Sequence, residues 1–156
     1  AETIAIITFI GSFIGMFFIP FVGRLIDKIG VKNVLYLDAL SFIFVYVSYG
    51  MLVYGLVSGS IPKSGIYVLL TYSIVIVDKM STQLGMVRTI YLKEILVKKS
   101  DLTPSMTLGM SMDHVVSITG ALIGGIVWVT YGPQYIFFGA AILSLMNVYI
   151  ARKVQI

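Results

Sequence analysis

Charges cut this chain into long apolar runs, and that punctuation limits what it can fold into more than any other feature. Five stretches lie between charged or Pro/Gly-rich breaks: Ile4 to Val22, Val34 to Ser58, Gly65 to Ile90, Ser105 to Thr130 and Gln134 to Ile150. Each is close to the roughly 20 mainly apolar residues that a helix needs to cross a bilayer. Apolar residues make up 58% of the 156 and charged residues only 12%, whereas a soluble domain has roughly 45 to 50% and 25%. A water-soluble globule is excluded on that ground. The expected fold is therefore all-α, a multi-span helical bundle in a membrane, with membrane lipid as its first partner.

The bases set a direction. Arg24, Lys28 and Lys32 fall in the first connection, Arg88, Lys93, Lys98 and Lys99 in or beside the third, and Arg152 and Lys153 in the tail. The second connection has only Lys63 and the fourth has none, while Lys79 falls inside a span. The positive-inside rule then predicts cytoplasmic odd connections and C-terminus, with the N-terminus outside. The start, Ala1-Glu2-Thr3, has no basic n-region and does not read as a signal peptide. The chain is thus expected to be a piece of a longer membrane protein. The net charge of +4 is absorbed by this topology, and nucleic acid is not an expected partner.

The first connection carries a motif. Gly23-Arg24-Leu25-Ile26-Asp27-Lys28-Ile29-Gly30-Val31-Lys32 reads as a short charged loop with glycines near its ends. It resembles the loop signature of the major facilitator superfamily, G-x-L-x-D-[RK]-x-G-[RK]-[RK]. Gly23, Leu25, Asp27, Lys28, Gly30 and Lys32 match, and Val31 stands where a base is usual. The segment from Tyr91-Leu92-Lys93 through Asp113-His114 to Gly124-Gly125-Ile126-Val127-Trp128 also looks like the closing helices of prokaryotic members. The resemblance implies that residues 1–156 are a partial C-terminal transmembrane domain, helices eight to twelve, or five helices of a six-helix transporter half. It implies a multi-pass protein of a prokaryotic cell membrane, whose N-terminal half and a small-molecule solute are its partners. The implied activity is secondary active transport by alternating access, with proton coupling as a further expectation. The competing expectation is a non-transporting scaffold or receptor-like subunit.

Charged residues inside spans are the candidate functional groups, because each costs about 2.5 to 3.5 kcal/mol at a helix centre on insertion scales. The third span holds Asp78 and Lys79, with Gln83 one turn on, and the fourth holds Asp113 and the only histidine, His114. Counting depth at about 1.5 Å per residue puts Lys79 within reach of Asp113 across two helices. Two roles are open to these groups: solute or proton binding, or structural ion pairing. His114 is either a proton relay or a helix-to-helix hydrogen bond. Asp38 reads as solvated near the cytoplasmic end of the second span, and Arg88 as an interfacial anchor. Gly109, Asp113, Ser117, Gly120 and Gly124 form a small-residue stripe suited to close helix contact.

The chemistry of an enzyme is not expected. The chain has no cysteine, a single histidine, and no H-E-x-x-H or G-x-S-x-G pattern. No metal site and no cofactor follow from these residues.

Overall fold

A computed structural model describes residues 2–154, and for Glu2 the backbone only; Ala1, Gln155 and Ile156, the ends of the expected domain, lie outside the described residues. The elements are α1 (Glu2–Val57), α2 (Ile66–Leu84), α3 (Met86–Ile95), a 3-10 turn (Lys99–Asp101), α4 (Leu102–Thr130) and α5 (Gln134–Lys153). The described residues hold no strand, so the all-helical class stands. Three helical segments are long and apolar enough to cross a membrane: Thr3–Val57, Lys99–Thr130 and Gln134–Lys153. The third expected span does not qualify, because Asp78, Lys79 and Gln83 lower the hydropathy of α2.

The expected loop between the first two spans is a correction. Helix continues through Gly23, Leu25, Asp27 and Lys28, and only Gly30 leaves helical geometry, at φ 81° and ψ 158°. That backbone conformation is essentially reserved for glycine. Arg24 and Lys28 are good helix formers and carry the helix past Asp27, a weaker one, so a single glycine makes the break. Contacts with α2 show what the break does. In the arm before Gly30, Gly11 lies beside Ile76 and Lys79, and Gly15 beside Gln83, so this arm runs parallel to α2. In the arm after it, Asp38 meets Arg88 beyond the C-terminal end of α2, while Leu52 and Leu56 share a cavity with Tyr67 and Thr71 at its start. This second arm is antiparallel to α2, so the chain reverses at Gly30.

The third expected span is interrupted at Gly85. Its N–H bonds to Thr82 O at 3.2 Å, a tightened turn, and α3 carries on to Ile95. Helix α4 follows directly on the 3-10 turn. Leu102 opens the helix and Pro104 occupies its first turn, where a missing N–H costs no helical bond.

Packing is concentrated on α1. Val22, Ile26, Val31, Val34, Leu84 and Val87 form the core near the Gly30 reversal, joining both arms of α1 to α2 and α3. On the other side α5 packs against the second arm, with Tyr49 against Phe137 and Phe138 filling the space over Gly50. The largest fully buried side chains are valines, whereas Phe9, Phe17, Phe44, Leu108, Ile118 and Leu143 are exposed. Helices that bury small residues and expose large apolar ones suit a hydrocarbon solvent, where association rests on close packing. No residue of α4 is buried.

Candidate functional site

At the Gly30 end, Arg88 on α3 reaches back to Asp38 on the second arm of α1. Its Nη2 donates to Asp38 Oδ2 at 2.7 Å and its Nε to the same oxygen at 3.2 Å. The two partners are unequal: the Asp38 side chain is 3% exposed and that of Arg88 55%. Asp38 Oδ1 is buried without a hydrogen-bond partner among the described residues. The pair borders a cavity of about 260 Å³ whose walls also include Tyr91 and Asn147.

This pair was missed in the sequence. Asp38 is buried rather than solvated, and Arg88 is an ion-pair partner as well as a residue of the helix end. The signal was present: Asp38 is four residues into the second expected span and Arg88 two from the end of the third. In antiparallel helices those positions have similar depth and opposite charge.

The expected residues of α2 are divided between two neighbours. Lys79 and Gln83 lie over Gly11 and Gly15, where a Cβ would stand 3.0 Å from Lys79 Cγ and 3.3 Å from Gln83 Nε2. The glycines make room for these two side chains, half-buried at the contact between α1 and α2. Asp78, also half-buried, is within electrostatic reach of Tyr46 and Tyr49 on the second arm. Asp78 and Lys79 therefore address opposite arms of α1.

Asp113 and His114 are both exposed on α4. Lys79 and Asp113, which depth alone puts within reach of each other, do not form an ion pair; Arg88 with Asp38 is the one ion pair among the described residues. Asp113 instead borders an open cavity of about 380 Å³ that also includes Arg88 and Thr89. The small-residue stripe is uncovered as well: a Cβ at Gly109, Gly120 or Gly124 would meet nothing within 4 Å. Both follow from the exposure of α4, which has no buried residue and is exposed throughout 106–123.

In the motif, Leu25 packs against the core, Gly23 is half-buried, and Asp27 and Lys28 are exposed. Gly30 makes the reversal, and Lys32 joins Arg152 and Lys153 around an open cavity. Among the described residues no three His, Asp or Glu side chains gather as a metal site would require.

No family model matches the chain, and no curated protein or solved structure is significantly similar to it.

Proposed function

We propose that this chain is part of a secondary transporter of the major facilitator type, contributing five membrane helices of one six-helix half and moving a small solute by alternating access. The observation that carries the reading is the middle of α4. Asp113 and His114 sit there, exposed, on a helix apolar enough to cross a membrane. Ionisable groups at such positions face a bundle interior or a water-filled cavity. A second set of helices facing α4 would enclose such a cavity, and the open glycine stripe would let those helices approach closely. The reversal at Gly30 supports the same reading, since it falls within the motif that resembles the family signature.

One observation favours the scaffold alternative. Lys79 and Gln83 are packed over glycines, as fixed structural contacts would be. Their part in the transporter reading is to hold α2 against α1, while Asp113 and His114 remain the solute or proton candidates.

The test is cysteine accessibility in the full-length protein, using a membrane-impermeant thiol reagent. Ser117→Cys on α4 reports the face next to Asp113, and Lys63→Cys is a loop control. Transport predicts Ser117→Cys labelling that changes with the side exposed to reagent. Labelling at Lys63→Cys alone supports the scaffold.

A further inference from the structure

Lys32, just after the Gly30 reversal, and Arg152 and Lys153, at the end of α5, converge from two elements that are far apart in sequence. With Tyr149 they line an open cavity of about 580 Å³. Among the described residues none of these three bases takes part in an ion pair. Three cations around one opening repel one another, and the arrangement is stabilised by an anion.

The surface leading to the cavity identifies the kind of anion. Ile142, Leu145 and Tyr149 are exposed, and their spacing sets them along one side of α5, directed towards Lys153. Lys153 Nζ stands 4.7 Å from the centre of the Tyr149 ring, which joins the apolar stripe to the charged cluster. A free phosphate would use the bases and leave the stripe idle. An amphiphile uses both, with an acyl chain along α5 and its phosphate among the bases.

We propose that Lys32, Arg152 and Lys153 form a binding site for the headgroup of an anionic phospholipid, with Tyr149 at the boundary between headgroup and chain. The proposal rests on the membrane placement of the bundle and is independent of any transported solute. Each base near an anionic bilayer surface contributes about fivefold in affinity. Bases gathered at one helix end therefore act as a lipid anchor and hold α5 to the second arm of α1 through a shared phosphate.

The experiment incorporates the full chain into nanodiscs of phosphatidylcholine with or without phosphatidylglycerol, then counts retained phosphatidylglycerol by native mass spectrometry. The combined variant Lys32→Gln, Arg152→Gln, Lys153→Gln is compared with a charge-matched control, Lys93→Gln, Lys98→Gln, Lys99→Gln. The expected result is at least about a tenfold loss of retained lipid in the first variant and little change in the control. Equal retention by both variants, or equal loss from both, overturns the site. Displacement by millimolar inorganic phosphate assigns the cluster to a soluble anion and overturns the lipid. Failure of the unaltered chain to enter phosphatidylcholine nanodiscs overturns the membrane placement itself, and is read separately from lipid retention.

Discussion

Arg88 places two donors, Nη2 and Nε, on a single oxygen of Asp38, and that carboxylate is almost wholly buried while the guanidinium is half in the open. The geometry concentrates the interaction on Oδ2 and leaves Oδ1 without a partner. Removing one member of such a pair differs from removing both.

Arg88→Gln strands a buried carboxylate and is expected to destabilise the chain by about 2 to 3 kcal/mol, reduced from the fully buried case because Arg88 is half-exposed. The double variant Asp38→Asn, Arg88→Gln removes the stranded charge and is expected to recover part of that loss. Thermal unfolding in detergent measures both. A double variant less stable than Arg88→Gln alone would show that the carboxylate has another, larger role.

Gly30→Ala is expected to cost about 1 to 3 kcal/mol, because alanine resists φ 81° with ψ 158°. Gly23→Ala is the matched control in the same motif, in helical backbone where a Cβ meets nothing within 4 Å. Chemical denaturation of the two variants side by side checks the contrast. Equal stabilities would show that the reversal has another origin.

Gly50→Ala brings a Cβ to 2.6 Å from Phe138 Cε1, so the ring must shift or α5 must move away from α1. The expected cost is about 1 to 3 kcal/mol. Phe138→Leu in the same chain should relieve it, and the non-additivity of the double variant measures the contact.

Gly120→Ala tests what lies over α4. With nothing within 4 Å of the added Cβ, the substitution should raise stability in this chain by up to about 1 kcal/mol through helix propensity. In the full-length protein the transporter reading predicts slower solute movement from the same change, because the facing helices must close on that stripe. Unfolding curves and a proteoliposome flux assay separate the two effects.

The helical class was legible because apolar runs of membrane length leave the backbone few alternatives. The site was legible only in part. A run of charged residues predicts a loop, yet Arg24, Asp27 and Lys28 continue the helix, and Gly30 alone carries the turn. Gly11 and Gly15 have the four-residue spacing found in many helix contacts, and nothing in that spacing tells which long side chains lie over them. The stripe on α4 has the composition of a helix interface, but composition does not say whether its partner belongs to the same set of helices. Asp38 and Arg88 were separated by half a hundred positions, and matching their depths in neighbouring spans was the step needed to join them.

The reversal at Gly30 has a mechanical consequence. Loops of several residues let two helices slide past each other by a turn, about 5.4 Å, by paying out slack. Only Gly30 is non-helical where the arms of α1 meet, and buried core residues lie close on both sides, Ile26 before it and Val31 after it. There is no length of free chain to pay out. The two arms are joined like the tines of a fork, and sliding one along the other would require breaking the reversal itself.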